Sequence, residues 1–409
     1  MKKNVTLCYG LVLAVFSIGY VTMWAFSSVF LLDAGLSNSQ IGSLLAIGSL
    51  LSVLVQPVIG GLIDRNPKVT SRKFMLVMAG LIVAVGIMIL CLPQKTVLCT
   101  MLLYGAAIFL MMLAQPFLNS LGMDAINYGY PLNFGVGHSI GSLGYALGSY
   151  AFGYVSASVG PKSIPFAFVI AFFVLGIPLV LYPVRKPETA ATGENEPPRK
   201  TAEKRDNPFL FLLRYKRFAV ILLGLILIYY GHGLINTYAL QILEPKGGNS
   251  KDMGTAASIA AMCELITTFL FSFYMRKIKL HRLLKLSCIF FTLKIFFSYL
   301  VTDVISFFLI QGLQMFGWGL LWVGIVYYVN NLVGEHDKAQ GQAYAGMAFT
   351  IASVLGNLIG GWLIDTFSVN VMLLSGTAVS LAGSIIIWIF VKEQKTVGNA
   401  NEDGRITEL

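Results

Sequence analysis

Apolar residues in this chain do not alternate with polar ones as on a surface helix; they come in long, nearly unbroken runs separated by short polar connections. A hydrocarbon core about 30 Å thick needs roughly 20 apolar residues per helical crossing, so each run reads as a membrane span. The pattern predicts spans near 6–32, 41–63, 74–93, 97–121, 136–158, 163–184, 218–242, 253–275, 283–302, 304–333, 343–366 and 369–392. The expected fold class is an all-α membrane protein with 12 transmembrane helices.

The longest polar interruption, residues 185–217, separates the sixth run from the seventh and is rich in Pro, Glu and Lys. It reads as a cytoplasmic linker, and its last part, "NPFLFLLRYKR", suits a segment lying on the membrane surface. The chain is thus expected to divide into an N-terminal half (1–184), the linker, a C-terminal half (218–392) and a cytoplasmic tail (393–409). An internal comparison supports duplication: "SLGYALGSY" and "VLGNLIGGW" align at an offset that matches Gly144 with Gly356, Gly148 with Gly360 and Tyr150 with Trp362. Small residues repeated at helical spacing let two helices approach closely in lipid. The two six-helix halves should be pseudo-symmetric.

Composition agrees: of 409 residues 56% are hydrophobic and 12% charged, and mean hydropathy is +0.75. The net charge of +10 would suggest nucleic acid in a soluble protein. Here the basic residues cluster in alternate connections, "MKK", "DRNPKVTSRK", the linker, "RKIKLHR" and "VKEQK", which the positive-inside rule makes cytoplasmic. Both termini are then cytoplasmic, in a multi-pass plasma-membrane protein of expected bacterial origin. The first run lacks a cleavage site and is expected to be retained. Cys8, Cys91, Cys99, Cys263 and Cys288 follow no paired spacing and read as apolar packing residues.

Against this background the stretch "AAMCELITTFLF" stands out, because it sets Glu264 inside an apolar run. Glu264 and Lys294 each fall about eleven residues into a span, near the bilayer midplane at 1.5 Å per residue. A charge at that depth is costly unless it faces a protein interior or a wet cavity. The two are expected to share one central cavity, against the alternative of a structural ion pair that only locks helices. His138 is a candidate hydrogen-bond donor, and His232 with Asn236 one turn later shares a face of span 7. Tyr145, Trp24, Trp318 and Trp322 could stack on a ring, or could be ordinary core and belt aromatics. Gln56 and Gln115 precede prolines, whose helices carry a freed carbonyl that a nearby amide can satisfy. Asn119 shares the site side of span 4 by spacing. No metal cluster, nucleophilic triad or phosphate loop is recognisable, so neither an enzyme nor a cofactor is expected.

The sequence resembles the major facilitator superfamily over nearly its whole length. After span 2, "GGLIDRNPKVTSRK" is similar to that superfamily's loop motif at Gly60, Leu62, Asp64 and Arg65, followed by the basic pair Arg72 and Lys73; the resemblance implies a gating hinge. A narrower resemblance is to the lactose-permease-like oligosaccharide:proton symporters, carried by "NFGVGHSIGSLGYALGS" in span 5 and by "CELITTFLFSFYMRKI", "FFTLKIFF" and "LIQGLQMFGWGLLWVG" in spans 8 to 10. It implies that Glu264 binds sugar and couples protons, with Thr267 beside it, Lys294 as the buried base of span 9, His138 as the residue that binds sugar from span 5, and Tyr145 as the stacking ring. The sequence departs from that group where two ionisable span 10 positions are Gln314 and Gly317, and where a span 4 acid is Ser120, with Asn119 adjacent and Asp124 one turn on.

The resulting expectation is a monomeric secondary transporter, driven by a proton gradient, that moves a small neutral solute such as a sugar or glycoside through a midplane site of Glu264, Lys294, His138, Tyr145, Thr267, Asn119, Gln314 and Trp24. Import of a nucleoside or export of an amphipathic compound is the alternative within transport, favoured by an aromatic, methionine-lined cavity. A non-transporting membrane receptor is a third. Nucleic acid and metal are not expected as partners.

Overall fold

The computed structural model describes residues 4–65, 70–92, 96–183, 208–334 and 337–393. All regular structure among them is helical. Residues 184–207, most of the expected linker, and the tail from 394 lie outside the described residues.

The N-terminal half is built from α1 (Val5–Tyr20), a short α2 (Ser27–Asp33), α3 (Asn38–Arg65), α4 (Ser71–Cys91), α5 (Val97–Asn127), α6 (Phe134–Val159) and α7 (Ser163–Leu181). A wider, π-helical turn over Val21–Ala25 joins α1 to α2, so span 1 is one interrupted crossing. The C-terminal half contains α8 (Pro208–Arg214), α9 (Lys216–Thr237), α10 (Ala239–Leu243), α11 (Ser250–Lys277), α12 (Leu280–Leu300), α13 (Val304–Gln311), α14 (Trp318–Leu332), α15 (Lys338–Thr366) and α16 (Val369–Phe390). The tenth span is split between α13 and α14 by a 3-10 turn at Gly312–Met315.

Eleven of the predicted crossings are long and apolar enough to traverse a bilayer among the described residues. The twelfth, α6, is 26 residues long, and six glycines with several serines lower its hydropathy. Those glycines have a packing role: a Cβ on Gly144 would meet the Ala14 Cα at 2.6 Å, so α6 lies backbone to backbone on α1. The repeat partner Gly356 meets the Tyr230 carbonyl at 3.2 Å, setting α15 on α9 in the same manner. The small-residue pattern common to both halves therefore performs one task twice, as close packing requires in lipid.

Two helix pairs join the halves, α6 with α11 and α3 with α15. Both pairs meet tightly at one end only, the end at which α3 begins and α15 finishes. There a Cβ on Gly254 would meet the Ser149 carbonyl at 2.3 Å, and one on Gly42 the Asn357 carbonyl at 2.0 Å. The Asp365 carboxylate, near the end of α15, accepts from the Asn38 backbone N–H at 3.2 Å, the Asn38 Nδ2 at 2.9 Å and the Ser39 N–H at 2.6 Å. Gln241 adds an amide bond to Asn38 Oδ1 at 2.8 Å. We call this the far end; the opposite, terminal end carries the start of α1 and the finish of α16. Toward it the two pairs splay, and facing residues of each become walls of a cavity.

Candidate functional site

The cavity between the halves has a volume of about 840 Å³, within the range of about 300–1,000 Å³ usual for small-molecule sites. Its N-terminal wall includes Tyr20 and Trp24 from the first span, Ser49, Ser52 and Gln56 from α3, Gln115 and Asn119 from α5, and His138, Ser142 and Tyr145 from α6. Its C-terminal wall includes His232 and Asn236 from α9, Glu264 from α11, Gln311, Gln314, Trp318 and Trp322 from the tenth span, and Phe349, Thr350 and Ser353 from α15. Glu264 is the sole acidic residue among the described lining residues, and neither Lys nor Arg is among them.

The uninterrupted α11 helix carries Glu264 to mid-bilayer depth, and alanines at 256, 257, 260 and 261 line the cavity beside it. Small side chains on that face leave the carboxyl group room. The Trp318 side chain faces the carboxylate, and the Lys294 charge acts on it. Lys294 itself does not line the cavity. It is 3% exposed and donates a 2.6 Å hydrogen bond to Gln314 Oε1; Gln314 is the residue that reaches the lining. The expectation that Glu264 and Lys294 share the cavity surface is thus corrected: Lys294 supports the wall from behind.

Thr267 is also placed away from the cavity. Its side chain is fully enclosed, its hydroxyl donates to the Cys263 carbonyl at 3.2 Å, and a Cβ on Gly319 would touch its Cβ at 2.8 Å. Three residues advance a helix by about 300°, so Thr267 is turned about 60° from Glu264 and faces α14. The other expected site residues, His138, Tyr145, Asn119, Gln314 and Trp24, all line the cavity. Tyr145 lies within electrostatic reach of Glu264, across the boundary between the halves.

Aromatic stacks line both walls. On the C-terminal side the His232 ring lies flat on Trp318 at 4.4 Å, and Trp318 on Trp322 at 5.1 Å. Phe349 presents its edge to both indoles. On the N-terminal side Tyr20 stacks on Trp24 at 6.0 Å, with Tyr145 tilted against Tyr20. Asn236 Nδ2 donates to His232 Nε2 at 2.8 Å, which fixes the imidazole by an amide one turn away and leaves the Asn236 carbonyl oxygen free to accept.

Toward the terminal end His138 is held by the Tyr9 hydroxyl at 3.3 Å and by contact with Phe134. The Tyr9 hydroxyl donates to the Leu118 carbonyl at 3.2 Å. Neither Tyr9 nor Tyr20 was picked out by sequence reading, because tyrosines in spans are common and only a neighbouring helix gives them a role. The Gln56 amide donates to the Met112 carbonyl at 3.1 Å. That carbonyl lies four residues before Pro116 and has lost its helical partner, so a glutamine of α3 satisfies the carbonyl that Pro116 frees in α5.

Of the loop motif, Gly60 has open space where a Cβ would stand, and Arg72 Nη1 donates to the Tyr182 carbonyl at 2.9 Å. The Lys73 backbone N–H is capped by Thr70. The side chains of Asp64 and Arg65 lie outside the described residues.

The architecture has counterparts among known proteins. The fold matches the nucleoside transporter NupG with a TM-score of 0.79 at 12% identity, over 96% of this chain and 100% of that one. It matches a D-xylose-proton symporter with a TM-score of 0.67 at 15% identity, over 95% and 98%. In sequence the chain is 24% identical over 375 residues to Multidrug resistance protein 1 of Bacillus subtilis (strain 168), which covers 89% of this chain and 91% of the relative. The profile of the MFS_1 like family matches residues 7–374. The twelve-crossing architecture and that match together establish that the chain belongs to the MFS_1 like family, as a multi-pass membrane transporter with the major facilitator fold.

Proposed function

We propose that this transporter moves a small neutral polar solute, of the sugar or glycoside class, by proton symport, with Glu264 as the group that takes up and releases the proton. The observation that carries the reading is the chemistry of the cavity wall. One carboxylate is set among amides, hydroxyls and aromatic rings, with no Lys or Arg among the described lining residues to neutralise an anion. A polyhydroxylated ring offers hydroxyls to Glu264, Asn119, Asn236 and Gln314, and an apolar face to Trp318 or Trp24. Protonation of Glu264 would change both its charge and its hydrogen-bonding role, because an ionised carboxylate only accepts. That difference is the minimum needed to link a proton to a solute.

Alternating access would proceed by rocking of the two halves about this site. Basic residues such as Arg72, Lys73, Arg217, Lys277, Arg282 and Lys392 lie toward the terminal end, so by the positive-inside rule that end is cytoplasmic and the present conformation opens inward.

A second reading is import of a nucleoside. The His232, Trp318 and Trp322 ladder favours it, since a flat base would extend such a stack, and NupG is named as a nucleoside transporter. Of the described lining residues only Met112 and Met253 are methionines, which gives less support to a soft, drug-accepting pocket.

The test is uptake into proteoliposomes of a panel of labelled sugars, glycosides and nucleosides, with and without an inward proton gradient, for wild type and Glu264→Gln. The proposal expects accumulation of a sugar or glycoside that the gradient drives and that Glu264→Gln abolishes. Gradient-independent transport that survives the substitution removes Glu264 from coupling, and acceptance of nucleosides alone moves the assignment to the second reading.

A further inference from the structure

Closure at the far end rests on two unlike contacts. Between α6 and α11 it is mainly backbone on backbone, so close that a Cβ on Gly153 would meet the Gly254 Cα at 3.1 Å, with the Lys251 ammonium 4.6 Å over the Tyr154 ring beside it. Between α3 and α15 it is polar and centred on Asp365. The carboxylate caps the first turn of a helix belonging to the other half, taking the Asn38 and Ser39 N–H groups that open α3 and the Asn38 amide. An anion at a helix N-terminus is favoured by the unpaired N–H groups and by the helix dipole. Such a cap is ordinarily supplied from the helix's own chain neighbourhood; here the donors lie more than 300 residues away in sequence.

The surroundings of this contact are polar as well. Thr237 donates to the Asn357 side chain at 2.8 Å, and Tyr238 to the Asn357 carbonyl at 2.6 Å. The Asn357 Nδ2 and the Gln241 Oε1 are both buried without a partner. Each such group costs free energy when shielded from water. A seam that regularly opens to water recovers that cost in its open state. Asp365 is itself exposed, so water can replace its partners as soon as the helices part. The sequence marks the position too: Gly360-Gly361-Trp362-Leu363-Ile364-Asp365 repeats, with one insertion, the Gly60-Gly61-Leu62-Ile63-Asp64 that ends α3. Each helix of this antiparallel pair carries an aspartate one residue before its end, after a glycine pair.

We propose that Asp365 is the releasable latch of the far-end gate: its cross-half cap on α3 holds that end shut, and its release is a required step of each transport cycle. The inference rests on alternating access, not on the identity of the solute or on proton coupling. Asp365 acts on the conformational equilibrium and touches no substrate.

The test uses the full chain carrying Ala257→Cys, a cavity-wall position, labelled with a membrane-impermeant maleimide in intact cells and in inside-out vesicles, against the parent without that cysteine. The far side is identified as the side from which labelling is slow. Asp365→Asn should raise labelling from that side roughly threefold to tenfold, as the loss of charge-assisted bonds shifts the two-state equilibrium. Asp303→Asn is the control, since Asp303 caps its own helix through Ser306 and lies in one half only; it should leave labelling unchanged. Gel filtration and a permeant maleimide report folding, and if Asp365→Asn misfolds, Asn38→Ala removes the side-chain donor to Asp365 and the acceptor for Gln241 while leaving the two backbone donors, and should produce a smaller rise in the same direction. Unchanged far-side labelling in a folded Asp365→Asn or Asn38→Ala protein, or an equal rise in Asp303→Asn, overturns the latch. None of these outcomes depends on which solute is carried.

Discussion

Lys294 gives its hydrogen bond to Gln314, twenty residues further along the chain, at 2.6 Å, and reaches Glu264 only through its field. A cation fully withdrawn from the cavity surface is thereby tied to an amide that lies on it. Bound in this way, Gln314 Oε1 is occupied and its Nε2 is left as the donor that the cavity wall can present. The Lys294 charge also offsets that of Glu264 without blocking access to the carboxylate.

Removing the lysine should therefore impair transport without emptying the cavity. Lys294→Met leaves Gln314 Oε1 unpaired, a cost of about 1–3 kcal/mol, and removes the neighbouring positive charge from Glu264. Initial uptake rates should fall roughly tenfold or more, while Lys294→Arg, which keeps charge and donors, should retain a substantial fraction. A Lys294→Met protein as active as wild type would show that the bond has no part in transport.

Trp318 touches more of the site than any other ring, with Tyr229, His232, Phe291, Trp322 and Phe349 around it. An aromatic pair contributes about 0.5–1.5 kcal/mol beyond simple burial. Trp318→Ala should raise the KM for uptake several-fold and lower the thermal stability, whereas Trp318→Phe keeps a ring in the stack and should lose much less of both. Equal losses for the two variants would mean that the indole N–H facing Glu264, and not the stack, is what matters.

Sequence alone was enough to read the twelve crossings and the unusual depth of Glu264, because hydrocarbon thickness and the cost of a buried charge act locally. Which way each side chain points was harder. Periodicity within one span does not tell which neighbouring helix a side chain will meet, so it gave no sign that Lys294 sits behind Gln314 or that Thr267 faces α14. Tyr9 and Asn357 owe their roles to carbonyls and amides on other helices. The linkage of Asp365 to Asn38 spans the two halves, and a carboxylate at the end of a span looks like any helix end until its partner is placed beside it. The interruption at Val21–Ala25 also lay inside a nearly unbroken apolar run, whereas that at Gly312–Met315 falls where Gln311, Gly312, Gln314 and Gly317 break the run.

The glycines of the far-end seam give a prediction about the direction of the conformational shift. A methyl group at Gly42 would stand 2.0 Å from the Asn357 carbonyl oxygen, so Gly42→Ala must hold α3 and α15 apart there. Far-side labelling of a cavity cysteine should rise and uptake should fall by roughly tenfold. Gly80→Ala, on α4 away from the seam with nothing within 4 Å, should change neither. If both substitutions were neutral, the seam would be looser than its geometry implies.

Pro116 and Gln56 offer a double-mutant test of how α5 keeps a proline within the membrane. The ring of Pro116 has no N–H to give the Met112 carbonyl, and Gln56 supplies one from α3 at 3.1 Å. Gln56→Leu should orphan the carbonyl and cost about 1–3 kcal/mol, read as a lowered midpoint of thermal unfolding in detergent. Pro116→Ala restores the helical N–H, so in its background Gln56→Leu should cost far less. The two substitutions should therefore be strongly non-additive, as expected for groups that share one partner. Simple additivity would mean that water, and not Gln56, satisfies the carbonyl, and the amide would then be free to meet the solute.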